Sequence, residues 1–281
     1  MTTPEPAWID THCHLVDLAQ LRYPWLAGAP ALQQDFSIAR YRAEAGPELV
    51  AELLYMEMDV DPAQMDDEVR VMAARAPALR GMIAACRPER EDFPALLERL
   101  AAQPFVRGLR RVLHVVPDEL SRAPRFAQNL RRLAAHGLSF DLCLQARQLP
   151  LGRALALHAP QVTFVLDHCG NPDIRGGALD AWRRDLRELA ALPNVVCKFS
   201  GITTQADPER WLLQDLQPVF EHVTDCFGWD RVVWGSDWPV CTPAASLTRW
   251  IAACRELTTG CSASERARLF SGNARRVYRL V

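Results

Sequence analysis

Short apolar and β-branched runs recur along the chain at 8–10, 50–58, 80–85, 106–113, 139–144, 162–166, 194–199 and 231–234. Their length and composition suit buried strands. Between them, apolar residues fall at helical spacing over 62–75, 93–102, 122–136, 179–191, 208–227, 245–257 and 264–280. Local signals mark several ends. Asp61 stands before Pro62 as an N-cap followed by proline at the first helical position, and Asp92 precedes 93–102 in a similar way. Gly137 closes 122–136 and Gly228 closes 208–227, while Pro193 stops 179–191. Eight strands alternating with helices predict βα units and a parallel sheet. Eight such units in one chain of this length predict a single (β/α)8 TIM-type barrel domain over residues 1–281. The rival is an open doubly wound sheet. No Gly-x-Gly-x-x-Gly follows the first strand, and polar residues gather after many strands rather than at one crevice.

Composition narrows the function classes. The chain is 281 residues long, 49% hydrophobic and 23% charged, which suits a globular fold with a large core. A formal net charge of -2 gives no electrostatic case for nucleic acid. No apolar run is long enough to span a bilayer, and the polar lead-in 1–6 does not read as a signal segment, so a cytoplasmic location is expected. The nine cysteines form no Cys-x-x-Cys pair; Cys143, Cys169 and Cys197 sit in or beside strand-like runs and read as reduced, buried thiols. Of the 32 basic residues only Lys198 is lysine, which suggests a place where a compact ammonium fits and a planar guanidinium does not.

In a barrel, functional groups stand at the C-terminal ends of strands. The first strand supplies His12 and His14, two residues apart and therefore on one face, with Cys13 turned away. The second supplies Glu57 and Asp59. The fourth supplies Arg110 or Arg111, with His114 just beyond. The fifth offers Asp141 early and Gln145 at its end. The sixth ends in Asp167-His168, the seventh carries Lys198 and Ser200, and the eighth ends in Ser236-Asp237-Trp238. Two convergent imidazoles suit a divalent metal or a polarised substrate oxygen. His136, His158 and His222 fall in helical patterns and read as structural.

The ordered set Asp10-Thr11-His12-Cys13-His14, Leu166-Asp167-His168-Cys169-Gly170-Asn171-Pro172, Lys198-Phe199-Ser200-Gly201 and Trp234-Gly235-Ser236-Asp237-Trp238-Pro239 resembles the amidohydrolase superfamily. It is most similar to the amidohydrolase-related branch that includes lactonases of sugar acids and of aromatic-degradation intermediates. Tyr23-Pro24-Trp25-Leu26 resembles that branch's substrate loop, and 270–278 its C-terminal helix. The resemblance implies a catalytic centre of His12, His14, His168 and Asp237. Binuclear members also use a strand-four lysine or glutamate and a strand-five histidine. Here strand four offers arginines and strand five Gln145, which argues against two metals. One divalent ion, zinc before others, or metal-free catalysis is expected, with His12, His14 and tentatively Glu57 as ligands.

Lactone hydrolysis needs a water, a base and positive charge on the carbonyl oxygen. The expectation is therefore a hydrolase opening a small lactone, most simply a sugar-acid lactone. Asp237 is the base, with His168 and Lys198 as further catalytic groups. Arg110, Trp25, His114, Gln145 and Trp238 are the expected substrate contacts. Two alternatives are a metal-dependent decarboxylase of the same superfamily and a non-catalytic barrel that binds a metabolite. The expected partner is a small-molecule lactone; no membrane or nucleic-acid partner is expected, and homo-oligomerisation is left open.

Overall fold

The computed structural model describes residues 7–46 and 49–280; the polar lead-in 1–6 lies outside the described residues. Eight strands form the centre: β1 (Trp8–Cys13), β2 (Val50–Met56), β3 (Leu79–Ala85), β4 (Val106–Val112), β5 (Ser139–Cys143), β6 (Phe164–Leu166), β7 (Val195–Phe199) and β8 (Val232–Trp234). They pair in parallel in chain order, with helices between them, as a (β/α)8 barrel requires. The seam between β8 and β1 closes at the upper rim. The Asp237 amide donates to the His12 carbonyl (2.8 Å) and the His14 amide to the Trp238 carbonyl (2.7 Å).

Strand alternation divides the core into two layers. Ile9, Leu54, Ile83, Val165, Val196 and Val233 point into the barrel and pack with Ala274, Val277, Tyr278 and Leu280 of the C-terminal segment. Asn273 donates its side-chain amide to the carbonyls of Trp229 (2.7 Å) and Val232 (2.8 Å), which seats that segment across the barrel's lower end. The outer layer lies between strands and helices and holds the large aromatics. There Trp8 stacks on Phe270, with ring centroids 3.6 Å apart. Each such side chain contributes roughly 1.5–3 kcal/mol by burial. All nine cysteines are free thiols, seven of them buried. Among the described residues, no helix is long and apolar enough to cross a membrane.

Several helix boundaries differ from the sequence pattern for identifiable reasons. Asp61 caps as expected, accepting from the Ala63 amide (3.0 Å), but the first turn is 3-10 (Pro62–Gln64) before the α-helix Met65–Ala73. Asp92 does not cap Phe93–Ala101; its carboxylate is forked onto Arg90 instead. The stretch 122–136 breaks into Asp118–Arg122, Pro124–Arg131 and Leu133–His136, because Pro124 has no amide hydrogen to continue the first of these. The stretch 208–227 is helical only over Leu213–Phe227. The stretch 264–280 resolves into Ala263–Ala267, a π turn Arg268–Gly272 and Asn273–Tyr278. Two helices have no counterpart in the sequence pattern. Ile38–Ala45 buries only Tyr41, and Leu149–His158 carries Pro150 and Gly152 within an almost wholly apolar run.

Helix Met65–Ala73 carries an acid beneath the β2 end. Glu68 Oε1 accepts from the Tyr55 hydroxyl (2.8 Å) and the Met58 amide (2.9 Å). Burial, and next the charge of Glu57, push its carboxyl up to about 8 against the pull of those bonds and of Arg110. The native state therefore keeps a proton that the unfolded chain loses above its usual 4.5, and this contribution to stability fades as pH rises through that window to about 8. Glu68→Gln keeps an acceptor oxygen and removes the titration. Urea unfolding from about pH 5 to about pH 8 should show the wild type losing stability relative to Glu68→Gln; parallel curves would refute the assignment.

Candidate active site

A bulge aims the first strand's histidines. Asp10 pairs opposite Leu53 and Cys13 opposite Tyr55, so Thr11 and His12 together stand against Leu54 alone. The extra residue resets the alternation. Cys13 joins the outer core, while His12 and His14 face inward at the rim. β6 is followed at once by a tight turn in which His168 (φ 53°) and Cys169 (φ 54°) are left-handed; Asp237 after β8 is left-handed too (φ 60°). Such conformations cost about 1–3 kcal/mol each and persist only where the surroundings fix them. Here the Trp182 indole donates to the Cys169 carbonyl (2.8 Å), and the Asp237 amide is bonded across the seam.

These turns bring three imidazoles onto one carboxylate oxygen. Asp237 Oδ1 lies 3.5 Å from His14 Nε2, 3.6 Å from His12 Nε2 and 3.9 Å from His168 Nε2. Two of the far nitrogens are hydrogen-bonded: His14 Nδ1 is 2.9 Å from the Met56 carbonyl and His168 Nδ1 is 2.9 Å from Ser200 Oγ, while His12 Nδ1 faces Asp167 Oδ1 at 3.3 Å without the alignment of a hydrogen bond. A carbonyl only accepts, so His14 carries its proton on Nδ1 and turns a lone pair toward Asp237. Burial lowers all three imidazoles, His14 to about 3 and His12 well below the usual range, so they are neutral near pH 7. Burial also lifts the Asp237 carboxyl to about 6, against the opposing pull of His168 and Arg110.

Above this cluster lies a cavity of about 200 Å³ with His14, His168 and Asp237 on its floor and Trp25, Met58 and Val112 in its walls. At His114, His168, Asp237 and Val240 it meets a wider and more polar outer cavity of about 560 Å³ that includes Gln145, Asn171 and Thr204. The inner space suits a small ring, and the outer one is lined by hydrogen-bonding groups.

The structure thus brings His12, His14, His168 and Asp237 together. Trp25 is in the wall, its indole donating to the Met58 carbonyl (2.9 Å). His114 stands between the two cavities, its Nδ1 3.2 Å from Cys143 Sγ, and Gln145 lies only in the outer one. Arg110 reaches the inner cavity, but its guanidinium is engaged: Nε and Nη2 donate to Glu57 Oε1 and the Glu57 carbonyl, both at 2.6 Å. That pairing, with the Asp59 amide on Oε2 (2.8 Å), occupies the Glu57 carboxylate and takes it away from the expected ligand role. Arg111 turns aside to Glu89 (3.1 Å).

Two further expectations need correction. Trp238 does not face a substrate. It is fully buried on the outer side, perpendicular to Phe36 and Tyr41, with its indole on Glu44 (2.9 Å). Lys198 lies one residue before the end of β7, hence below the rim, where its ammonium joins Asp141 (2.5 Å) and Asp167 (3.0 Å). Burial alone would lower this ammonium, but the two carboxylates outweigh it and raise it. Asp141 and Asp167 stand among the strand-end residues but had no role assigned to them, and Tyr278 was not among those residues. Asp141 between Phe140 and Leu142 was a readable signal, since an inward acid in an apolar strand needs a partner. Tyr278 gave none.

The family model described as amidohydrolase matches residues 9–280. The L-fucono-1,5-lactonase of Burkholderia ambifaria is 38% identical, across 67% of this chain and 67% of that protein. The L-fucono-1,5-lactonase of Burkholderia multivorans is 34% identical, across 97% of this chain and 96% of its own. Among solved structures, an amidohydrolase from Burkholderia multivorans with bound zinc superposes with a TM-score of 0.89 at 30% identity, covering 98% of this chain and 100% of that one.

Gly201, just after β7, is the tightest point of the site. Its φ is +61°, and a Cβ there would stand 2.4 Å from His168 Nδ1 and 2.9 Å from Asp237 Oδ2. Gly201→Ala should cost about 1–3 kcal/mol, seen as a Tm lowered by several degrees, and should displace the His168 ring, seen as a changed His168 side-chain NMR signal. An unaltered melt and signal would show that the turn tolerates a side chain.

Proposed function

Because the chain belongs to the amidohydrolase family, we propose that it is a hydrolase that opens a small neutral lactone of a sugar acid. The observation that carries the reading is the convergence of three neutral imidazoles on the Asp237 carboxylate beneath a cavity of ring size. The two L-fucono-1,5-lactonases support the substrate class. The cavity chemistry supports a neutral ring over a dicarboxylate, because the Arg110 guanidinium in its floor is already balanced by Glu57 and Asp167.

Three donors fit one divalent ion. The ligand atoms of His12, His168 and Asp237 all lie within 4.8 Å of one another, and His14 Nε2 stands 3.5 Å from Asp237 Oδ1 beside them. His14 and His168 are held from the far nitrogen, as ligating histidines usually are, and His12 Nδ1 faces the Asp167 carboxylate at 3.3 Å. His12, His168 and Asp237 would hold the ion, with His14 next to them, and zinc is suited by the nitrogen-rich set. When bound, it supplies Lewis-acid polarisation and favours deprotonation of a water.

The chain's own residues account for the proton movements. Asp237, ionised above about pH 6, takes a proton from the attacking water as its oxygen bonds to the lactone carbonyl carbon. The tetrahedral oxygen gains its negative charge beside the buried guanidinium of Arg110. As the ring C–O bond breaks, Asp237 returns the proton to the departing oxygen, and the product is an open hydroxy acid. Trp25 and Met58 screen the ring from water, and His114 and Gln145 meet hydroxyls on the outer side.

Acid release followed with a pH indicator across aldonolactones and lactone dicarboxylates tests the proposal. Neutral aldonolactones should turn over and dicarboxylates should not. Asp237→Asn should lose at least about 10²–10⁴-fold in kcat, the usual worth of a positioned base. A chelator arm should abolish turnover and zinc should restore it. No acid from any lactone, or full activity in Asp237→Asn, would sink the reading.

A further inference from the structure

Beneath the imidazoles runs a chain of buried polar groups that the proton movements above do not use. The Tyr278 hydroxyl, in the segment that closes the barrel's lower end, donates to Asp141 Oδ2 (3.2 Å). The Lys198 ammonium bridges Asp141 Oδ2 (2.5 Å) and Asp167 Oδ1 (3.0 Å). Asp167 then faces two partners: Oδ1 is 3.3 Å from His12 Nδ1, and Oδ2 is 3.4 Å from Arg110 Nη1. Tyr278, Asp141, Lys198, Asp167 and His12 are all 0% exposed.

Of the three polar groups around His12, two favour the same ring proton, while the third, Asp237 Oδ1 at 3.6 Å from Nε2, is shared with His14 and His168; the Asp167 carboxylate faces Nδ1 at 3.3 Å without hydrogen-bond alignment. A guanidinium has donors and no acceptor, and Arg110 Nη1 lies 3.4 Å from His12 Nε2. Nε2 must therefore present a lone pair. A neutral imidazole has one ring proton, so it sits on Nδ1, the atom that faces the Asp167 carboxylate. The opposite tautomer would set lone pair against lone pair on the Asp167 side and N–H against N–H on the Arg110 side.

We propose that Asp167, oriented by Lys198 and Arg110, is a positioning residue that fixes His12 in the Nδ1–H tautomer and aims its Nε2 lone pair at the cavity floor, and that Asp141 and Tyr278 tie this arrangement to the C-terminal helix. The single lysine of an arginine-rich chain stands here, its compact ammonium bridging two buried carboxylates. The kinetic consequence rests on the hydrolase reading; the tautomer and the metal affinity do not.

The first readout uses the unaltered full-length chain. Long-range ¹H–¹⁵N NMR of the metal-free, ¹⁵N-histidine-labelled protein, with His12 assigned by its loss in His12→Asn, should show Nδ1 protonated and Nε2 bare. An Nε2–H signal for His12 overturns the proposal, whatever reaction the protein catalyses. Asp167→Asn should mix or reverse the tautomer, weaken zinc binding by about 10–100-fold against a chromogenic chelator, and lower kcat by about tenfold or more with little change in KM. Tyr278→Phe should keep the fold and move the same readouts a few-fold in the same direction, which keeps the idea testable if Asp167→Asn does not fold. Wild-type tautomer and zinc affinity in Asp167→Asn overturn it. Shifts in both, with no lactone turned over by the unaltered chain, would remove the hydrolase reading and support this one.

Discussion

The carboxylate of Asp10 holds the barrel shut at the point where the functional groups stand. Its Oδ1 accepts the amides of His12 (2.9 Å) and Ser236 (2.8 Å), one from each side of the seam, and its Oδ2 accepts the Tyr41 hydroxyl (2.7 Å). A neutral apolar residue there would leave buried donors unsatisfied, at about 1–3 kcal/mol each. It would also remove one of the bonds across the seam, leaving the β1 and β8 ends joined by the backbone bonds Asp237 to His12 and His14 to Trp238. Because His12, His14 and Asp237 are all within a few residues of that carboxylate, the same contacts that close the sheet set the distances inside the site. Stability and function share one set of hydrogen bonds.

The floor of the barrel poses the opposite problem, which is charge in a place without water. Arg110, Lys198, Glu57, Asp141 and Asp167 are all at or below 5% exposed. Isolated, each would be strongly disfavoured; paired at 2.5 to 3.4 Å, they offset one another's desolvation. Burial raises a carboxyl, yet Lys198, His12 and Arg110 together hold Asp167 well below its ordinary range. The result is a rigid polar layer between the apolar barrel interior and the imidazoles. It lets the rim present neutral histidines and one partly raised carboxyl, rather than a cluster of competing charges.

The candidate site was legible where it depended on strand ends. His12 and His14 at period two, Asp167-His168 after β6 and Ser236-Asp237 after β8 all follow from where apolar runs stop. Depth and sidedness were not legible in the same way. Lys198 and Ser200 are two residues apart, yet one lies in the floor and the other meets His168 at the rim. Trp238 follows Asp237 directly and faces the outer core, because the backbone turns at the left-handed Asp237. The helix Leu149–His158 escaped detection because proline and glycine interrupt a run that is apolar nearly all round.

The sequence by itself determined the eight-fold alternation, the parallel barrel and the set of residues at its rim, because hydrophobic period and strand termini are local properties. Only the tertiary structure decided which of those residues meet. The β1 bulge turns both histidines inward, the seam brings Asp237 to 3.5 Å from a strand more than two hundred residues away, and the C-terminal helix carries Tyr278 to Asp141. Those are long-range distances. They are set by closure of the sheet and by the need to pair buried charge, neither of which any short window of residues contains.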